Sequence, residues 1–309
     1  MDIVSTADNT VPDGATVGVV KTSDGVSLRY ASWKTDQPRK GTICLCQGRT
    51  EFIEKYFEVL RELRARGYDV VTFDWRGQGL SDRALPDRRK GHVESFDQFD
   101  IDLQAVIDQV LLPTGSPPFI GLAHSMGGAI LLRFVSNKKH PFDRIVLTSP
   151  MIGLAGFPSS TVARAVARGL RFCGFGKWYV PKGNGEMMDS WPFAGNVYTT
   201  DPTRYARVAD ILRADPALGI GSPTNGWMAA ANDAMDEFAE ARYTSPIHDR
   251  TLIVAGGADR IASTPVSKAL AERSGRITHI VIEGAEHELL VEQDGLRAQF
   301  WSAFDKFVG

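Results

Sequence analysis

Ser125 lies where an apolar run gives way to two glycines, a setting in which a serine hydroxyl can act as a nucleophile. The segment Phe119–Gly128 has the sequence FIGLAHSMGG, and a further apolar stretch follows it. This order predicts a strand, a sharp turn and a helix, with the serine raised above the sheet. Because the turn brings the flanking backbones together, it needs small residues, and the chain has Ala123 and Gly127 there. We predict Ser125 as the nucleophile.

A serine hydroxyl is a weak nucleophile near neutral pH and needs a base to accept its proton. The chain has six histidines: His92, His124, His140, His248, His279 and His287. His124 adjoins the serine, so its side chain is expected to point away from it. His287 follows the last predicted strand by a short loop, at the edge where the carboxyl ends of parallel strands form sites. The others fall in loops, before a strand or within one, so we predict His287 as the base.

The acid that orients the histidine is expected after a strand, between the serine and the histidine in the sequence. The segment Leu252–Asp259 (LIVAGGAD) meets both conditions. A carboxylate there would accept the second ring N–H of His287 and stabilise the imidazolium ion. Glu286 and Asp294 are poorer candidates because they lie too close to the histidine along the chain. The alternative is that Asp259 is only a turn or helix-cap residue.

The oxyanion that forms when serine attacks a carbonyl needs hydrogen-bond donors. The backbone N–H of Met126, at the start of the predicted helix, is one natural donor. The second is expected from the loop after an early strand, Gln47–Thr50, and we assign it to the backbone N–H of Arg49. The alternative is that Gly48 marks an ordinary turn at a strand end.

Short apolar runs alternate with helical stretches along most of the chain, which is typical of parallel strands covered by helices on both faces. The predicted strands are Ile43–Cys46, Val70–Phe73, Phe119–Leu122, Ile145–Leu147, Leu252–Ala255 and Ile277–Ile282. Predicted helices lie around Tyr56, Leu60 and Leu63 with Gly67 as C-cap, from Ser95 to about Leu112, after Ser125, and from about Val291 to Phe307. A hairpin over residues 17–33 precedes them. The sequence therefore predicts an α/β fold with a mostly parallel sheet.

The alternation stops between residues 153 and 249, a segment too long for an ordinary loop. Helices are predicted there over Ser160–Phe172, Pro202–Ala214 and Trp227–Ala241. We expect residues 153–249 to form an inserted helical cap on a core of residues 1–152 and 250–309. The aromatic residues of this cap are Phe157, Phe172, Phe175, Trp178, Trp191 and Trp227. The candidates for binding substrate are Phe157, Trp178, Trp191 and Trp227. The alternative is that these rings form the cap's own core.

The composition excludes several other classes of protein. The 309 residues carry a formal net charge of −2, so no basic excess indicates a nucleic-acid partner. The basic run Arg83–Lys90 is expected to be a solvated loop. Cys44 and Cys46 fall on one face of a strand, and three cysteines with Cys173 do not form a disulfide framework. The polar start and the lack of a long apolar run predict a cytoplasmic protein.

With these residues in place, the chain resembles the monoacylglycerol lipase and lysophospholipase group of α/β-hydrolases, most closely its bacterial lysophospholipase L2-like members. The motifs that carry the resemblance are Gln47-Gly48, Asp74–Ser81, His124–Gly128, Gly256–Asp259, Gly284–Glu288, Thr199–Tyr205 and Pro223–Trp227. Ala123 stands where the family has the first elbow glycine, and Gln47 where it often has histidine. Asp74–Ser81 is expected to shape a turn beside the site. The resemblance implies an α/β-hydrolase fold and ester hydrolysis of lipids with a single acyl chain.

The expected reaction is acyl transfer to Ser125 followed by hydrolysis with water activated by His287, without a metal or an organic cofactor. The expected partner is a small lipid or ester, with transient contact to a membrane surface. A short-chain carboxylesterase or a small-residue aminopeptidase is the first alternative, and a non-catalytic binding module is the second. A serine at the nucleophile position disfavours dehalogenases and epoxide hydrolases, which use a carboxylate there. The sequence leaves the head group and the oligomeric state open.

Overall fold

The computed structural model describes residues 3–156, 161–240, 243 and 250–309. Its strands are β1 (Thr16–Lys21), β2 (Ser27–Trp33), β3 (Gly41–Cys46), β4 (Tyr68–Phe73), β5 (Phe119–His124), β6 (Phe142–Thr148), β7 (Thr251–Gly256) and β8 (Thr278–Ile282). They form an eight-stranded sheet in the order β1-β2-β4-β3-β5-β6-β7-β8. The β1–β2 and β2–β4 pairs are antiparallel and the other pairs are parallel. The predicted mostly parallel α/β sheet is confirmed.

The helices of the described residues cover both faces of the sheet. They are α1 (Phe57–Ala65), α2 (Asp97–Val106), α3 (Leu112–Thr114), α4 (Ser125–Asn137), α5 (Thr161–Leu170), α6 (Pro202–Ala214), α7 (Asn225–Glu237), α8 (Thr264–Ser274) and α9 (Asp294–Val308). One face packs against α1 and α9, through side chains such as Leu60 and Phe300. The other packs against α2, α4 and α8, through Phe99, Ile130 and Leu270. Strands buried on both faces explain why their sequences are continuous apolar runs.

Helices α2, α7 and α9 begin at residues other than the predicted ones, and for α7 and α9 the reason is local. The last helix begins at Asp294 because Leu289–Val291 form a separate 3₁₀ turn. The helix predicted from Trp227 begins at Asn225, since the Thr224 side chain accepts the Trp227 backbone N–H at 3.1 Å and caps the helix. Its predicted end at residue 241 lies outside the described residues.

The chain between β6 and β7 carries α5, α6 and α7, and its described residues add no strand to the sheet. Helix α6 is tied to the core through Glu58 of α1. Arg204 and Arg207 each lie 2.6 Å from the Glu58 carboxylate, and Arg297 of α9 lies 3.1 Å from it. Burial alone would raise the pKa of Glu58, but hydrogen bonds from the α6 arginines and the charge of Arg297 lower it to about 2. The carboxylate therefore stays ionised and joins the two parts of the chain.

The basic run Arg83–Lys90 is mostly exposed, but its first residue is not. Arg83 donates hydrogen bonds to the carbonyl oxygens of Gly79 at 2.6 Å and Ala217 at 3.1 Å. Burial lowers the pKa of this arginine to about 10. The prediction of a fully solvated loop is therefore wrong at Arg83, which joins the loop to the segment before α7.

Cys44 and Cys46 are buried on the same face of β3, with their Sγ atoms 4.0 Å apart. Cys173 is exposed, and all three thiols are free. Among the described residues, no helix has both the length and the apolar character needed to cross a membrane.

Candidate active site

Ser125 is the first residue of α4 and follows β5 directly. Its φ of +49° lies in the left-handed region, which is strained for a non-glycine residue and raises the side chain above the sheet. The Met151 backbone N–H donates to the Ser125 carbonyl oxygen at 2.9 Å. A Cβ atom at Gly127 would lie less than 3.0 Å from the carbonyl oxygens of Cys46 and Gln47. The turn therefore requires glycine at position 127 because two backbones meet there.

The carboxyl ends of three parallel strands bring Ser125, Asp259 and His287 together. The Ser125 Oγ atom lies 2.8 Å from His287 Nε2, and His287 Nδ1 lies 2.8 Å from Asp259 Oδ2. Ser125 is 7% exposed, His287 is 4% exposed and the Asp259 side chain is 1% exposed. The three residues selected from the sequence thus form one continuous hydrogen-bonded series, in the geometry of a nucleophile, a base and an orienting acid.

Asp259 is held by its own loop as well as by the histidine. Its Oδ1 atom accepts the backbone N–H groups of Ile261 at 2.8 Å and Ala262 at 2.9 Å. Burial alone would raise the pKa of Asp259, but the hydrogen bond and charge of His287 and the two backbone donors lower it. The carboxylate therefore stays ionised and can orient the imidazole ring.

Other histidines have different partners. His92 Nδ1 lies 2.8 Å from the Thr224 hydroxyl at the start of α7, so this residue links the core to the segment between β6 and β7. His279 Nε2 lies 3.0 Å from the Ser267 hydroxyl on α8. His248 lies outside the described residues.

The loop after β3 is held in place by the loop after β4. Trp75 donates its indole N–H to the Gln47 carbonyl oxygen at 2.8 Å, and Gln78 donates to the Gly48 carbonyl oxygen at 2.9 Å. Glu51 accepts the backbone N–H of Gly48. The first two bonds join the two loops and the third lies within the loop after β3, so the backbone that follows β3 has a defined position beside the helix of Ser125.

The two predicted oxyanion donors lie on backbones that meet at Gly127. Among the described residues, the backbone N–H of Arg49 has no acceptor within hydrogen-bond distance. The N–H of Met126 belongs to the first turn of α4, where amides have no carbonyl partner inside the helix. Both N–H groups are therefore available to an oxygen that carries negative charge.

A buried cluster of charged residues adjoins His287, and sequence reasoning missed it. The Lys55 ammonium group lies 2.7 Å from Glu51 and 2.6 Å from Glu288. Burial raises the pKa of Glu288, whereas the charge of Lys55 outweighs burial at Glu51 and lowers its pKa. The His124 ring packs 4.8 Å from the His287 ring, and burial lowers the pKa of His124 to about 4, so it is neutral at neutral pH.

This cluster joins the loop after β3 to the loop that carries His287. The ligand atoms of Glu51, His124 and Glu288 lie within 4.8 Å of one another, a spacing that a metal ion could bridge. Lys55 already contacts both carboxylates and supplies the compensating positive charge. The signals in the sequence were the four-residue spacing of Glu51 and Lys55 and the position of Glu288 directly after His287.

A family model described as serine aminopeptidase, S33 (Hydrolase_4), matches residues 37–294. The chain belongs to this family. The matched range includes Ser125, Asp259 and His287, together with the whole segment between β6 and β7.

Individual relatives agree with the family. The chain is 30% identical to lysophospholipase L2 of Escherichia coli (strain K12) over 291 residues, covering 89% of this chain and 82% of that protein. It is 26% identical to a monoacylglycerol lipase of Mycolicibacterium smegmatis, covering 87% of this chain and 89% of the relative. A soluble variant of monoglyceride lipase from Saccharomyces cerevisiae, solved with a substrate analog, superposes with a TM-score of 0.76 at 18% identity over 96% of each chain. The resemblance inferred from the motifs is confirmed, and the chain is a serine hydrolase of the α/β-hydrolase fold.

A cavity of about 960 Å³ lies between the segment after β6 and helices α5, α7 and α8 of this hydrolase. Its largest apolar lining side chains are Ile152, Leu154, Leu170, Met228, Met235, Phe238 and Leu270. Ile152 directly follows Met151, whose backbone N–H is bonded to the Ser125 carbonyl oxygen. Ser125, Asp259 and His287 do not line the cavity, and its link to the serine turn is the chain through Met151 and Ile152.

The aromatic residues predicted to bind substrate lie elsewhere. Trp178 and Trp191 are 62% and 39% exposed, and Trp227 is buried beneath the guanidinium group of Arg49. None of these three tryptophans lines the cavity, and Phe157 lies outside the described residues. Aliphatic and methionine side chains at helical spacing line most of it, together with Phe238. That spacing is the signal in the sequence that could have identified them.

Proposed function

We propose that this hydrolase cleaves carboxylic esters of lipids with a single acyl chain, through an acyl-enzyme on Ser125. The observation that carries the proposal is the pair of 2.8 Å contacts that connects Ser125 through His287 to Asp259. A hydroxyl group held at that distance from an imidazole nitrogen can transfer its proton as it attacks a carbonyl carbon.

In the first half-reaction, the Ser125 oxygen attacks the ester carbonyl carbon and His287 Nε2 accepts the hydroxyl proton. Asp259 orients the ring and stabilises the imidazolium ion. The backbone N–H groups of Arg49 and Met126 donate to the oxyanion that forms. When the tetrahedral intermediate collapses, His287 gives its proton to the leaving alcohol oxygen. In the second half-reaction, a water molecule loses a proton to the same nitrogen and hydrolyses the acyl-enzyme.

Two observations support a substrate with one acyl chain. The cavity between the segment after β6 and α5, α7 and α8 has walls that include Leu, Val, Ile, Met and Phe side chains, and its 960 Å³ lies near the upper end of the roughly 300–1,000 Å³ typical of small-ligand sites. The relatives named lysophospholipase L2 and monoacylglycerol lipase act, by their names, on lipids that carry a single acyl chain. An apolar cavity whose wall continues from the chain bonded to the Ser125 carbonyl oxygen would hold that acyl chain while the ester lies at Ser125.

The proposal includes a cap formed by residues 153–249 over a core of residues 1–152 and 250–309. The cap exposes large aromatic side chains, with Phe172 93% and Trp178 62% exposed. Such rings favour transient contact with the surface of a lipid aggregate. We expect activity to rise steeply when the substrate passes its aggregation threshold. A smooth saturation curve through that threshold would count against membrane-surface contact.

The first test is fatty-acid release from a monoacylglycerol and from a lysophosphatidylcholine with the same acyl chain, using wild type and Ser125→Ala. We expect release by wild type and a fall of about 10³-fold or more in the variant, whose circular dichroism spectrum stays unchanged. Equal release by both proteins would exclude Ser125 as nucleophile. No release from either lipid would overturn the proposed substrate class.

A small-residue aminopeptidase is the second candidate, because the matching family model carries that description. Such an enzyme has to bind the α-ammonium group of a peptide, and a free carboxylate near the nucleophile would serve this purpose. Asp259 is bonded to His287, and the two carboxylates of the adjoining buried cluster, Glu51 and Glu288, are both paired with Lys55. This pairing favours the ester substrate. Parallel assays with amino-acid anilides and with short and long acyl esters separate peptidase, short-chain esterase and lipase.

A fluorophosphonate probe tests whether the serine is reactive at all. Labelling of wild type but not of Ser125→Ala would support the hydrolase, and absence of labelling in both would favour a non-catalytic binding module. The cytoplasmic location stays a prediction, which fractionation of cells that produce the chain would test.

A further inference from the structure

Arg49 carries a half-buried guanidinium group at the boundary between the loop after β3 and the cap. Its Nη2 atom donates to the Gly221 carbonyl oxygen at 2.8 Å, and its Cζ atom lies 5.0 Å from the centre of the Trp227 ring. Its Nε atom is buried and has no hydrogen-bond partner among the described residues. This N–H is an unsatisfied buried donor, and a ligand that contacts the guanidinium group could supply its acceptor.

The fully buried arginines of the described residues differ, because each pairs with at least two carboxylates, and the half-buried Arg83 differs because its Nε atom donates to the Arg88 carbonyl oxygen at 3.0 Å. The fully buried ones are Arg29, Arg76, Arg133 and Arg297. Arg49 has no carboxylate within ion-pair distance among the described residues. Burial lowers the pKa of Arg49 to about 10, so the group stays cationic at neutral pH. A partly desolvated cation without an anion favours an anionic ligand.

Further positive charge lies at the same boundary. Gly221, whose carbonyl oxygen binds Arg49, donates its own N–H to the Arg89 carbonyl oxygen at 2.8 Å. The next residue, Lys90, has its Nζ atom 5.0 Å from the centre of the Tyr179 ring. The Lys90 ammonium group thus lies at this boundary and adds to the attraction for an anion, whereas the Arg89 side chain donates to the Gly185 carbonyl oxygen at 3.2 Å.

The length of the Arg49 side chain matches the distance along a lysophospholipid between its ester carbonyl group and its phosphate. The backbone N–H of Arg49 is the proposed oxyanion donor, and about six covalent bonds separate its nitrogen from Cζ. About six covalent bonds also separate the ester carbonyl carbon from the phosphorus atom in an acylated glycerol phosphodiester. A lipid whose carbonyl oxygen accepts the Arg49 N–H would therefore bring its phosphate close to the guanidinium group of the same residue.

We propose that the Arg49 guanidinium group binds the phosphate of a lysophospholipid and thereby favours phosphate-bearing single-chain esters over uncharged ones. The planar guanidinium group can donate two parallel hydrogen bonds to two phosphate oxygens. The guanidinium group also lies over the face of the Trp227 ring, which stabilises its positive charge. This assignment rests on the proposed ester hydrolysis and names the head group that the site selects.

The test compares kcat/KM for lysophosphatidylcholine and for a monoacylglycerol of the same chain length, in wild type, Arg49→Gln, Arg49→Lys and the neighbouring control Arg89→Gln. The readout is the ratio of the two kcat/KM values, because any disturbance of the shared backbone donor lowers both. We expect the ratio to fall about 10- to 100-fold in Arg49→Gln and by less in Arg49→Lys, which keeps the charge. Arg89→Gln should leave the ratio within about twofold.

An unchanged ratio in Arg49→Gln would overturn the assignment, and so would wild-type activity on the monoacylglycerol alone. If wild type hydrolyses neither lipid, the proposed function fails, which is a different result from an unchanged ratio. Inorganic phosphate added to the lysophosphatidylcholine assay separates the two sources of the anion. Inhibition of wild type by free phosphate, together with an unchanged ratio in Arg49→Gln, would identify a free-phosphate site instead of a head-group site.

Discussion

The end of the sheet that carries Ser125 and the cavity between α5, α7 and α8 hold their residues by different means. At the end of the sheet, the backbone determines positions: Ser125 has a φ of +49°, and Gly127 touches the backbone of the loop after β3. Buried ion pairs add to this, with Lys55 within 2.7 Å of two carboxylates. In the cavity the walls are side chains, such as the flexible Met228 and the 52% exposed Val166.

This difference follows from what each region has to do. Proton transfer and oxyanion binding need atoms held within about 0.5 Å of one geometry, which only backbone contacts and paired charges provide. An acyl chain is recognised by volume and apolar character, and adaptable methionine and aliphatic side chains supply both. We therefore expect changes at the end of the sheet to alter the rate of the reaction, and changes in the cavity to alter the choice of substrate.

The largest expected effect is at the orienting acid. Asp259→Asn removes the negative charge that stabilises the imidazolium ion, so kcat should fall about 10³- to 10⁴-fold with KM little changed. Steady-state kinetics on a monoacylglycerol measure this. The control Asp294→Asn changes an exposed carboxylate that pairs with Arg204 and should keep activity within about twofold. An equal loss of kcat in the two variants would show that Asp259 does not act as the acid that orients His287.

The next effect tests the backbone contact itself. Gly127→Ala places a methyl group against two carbonyl oxygens, so the free energy of unfolding should fall by about 2–3 kcal/mol and kcat by about 10²-fold. The control Gly169→Ala lies in an exposed part of α5 with nothing within 4 Å of the new methyl group. It should raise stability by about 0.5–1 kcal/mol. Urea unfolding measures the free energy of unfolding of both variants. A similar change in the two would contradict the claim that the backbone contact at Gly127 fixes the serine turn.

A smaller effect concerns the attachment of the cap to the core. The pKa of Glu58 falls from an ordinary 4.5 to about 2 in the folded chain. Its contribution to stability is therefore complete above about pH 5 and is lost as the pH falls from about 4.5 towards 2. Glu58→Gln should lower the free energy of unfolding by about 1–2 kcal/mol at pH 7, and the difference from wild type should shrink at pH 3.5. Urea unfolding at both pH values measures this, and a difference that grows in acid would disprove the assignment.

The smallest effect is in the cavity. Met228→Ala removes contacts with long acyl chains but not with short ones, so the ratio of kcat/KM for long and short monoacylglycerols should fall about 3- to 10-fold. Met187 is the matched control, because it is buried in another apolar cluster with Ile211 and Leu212 and does not line the cavity. Met187→Ala should lower stability without changing the ratio. A change of chain-length preference in the control alone would place the acyl chain elsewhere.

Much of the site could be predicted from the sequence because it depends on local order along the chain. Ser125, Asp259 and His287 each follow a strongly apolar strand, and parallel strands end at the same edge of a sheet. The charged cluster of Lys55, Glu51 and Glu288 could not be predicted in this way. Its members lie on different elements, and only their packing shows that one ammonium group compensates two buried carboxylates.

The cap shows the opposite balance. Its helices follow from periodicity, and Pro202–Ala214 has the predicted bounds. The periodicity does not predict which face of each helix lines a cavity, because apolar residues at helical spacing can pack against a neighbouring element or surround an empty volume. Trp227 was predicted to face substrate, but the fold places it beneath Arg49.

The sequence by itself determined the strand order along the chain, the strained serine turn and the order of serine, aspartate and histidine. These depend on residue types and short spacings, which act through local backbone geometry. Only the tertiary structure decided that Arg49 has no carboxylate within ion-pair distance in the part of the chain that the structure describes, that Lys55 has two, and which apolar side chains line the cavity. Pairing and cavity shape depend on contacts between residues distant in the sequence, and such contacts exist only once the sheet and its helices have packed.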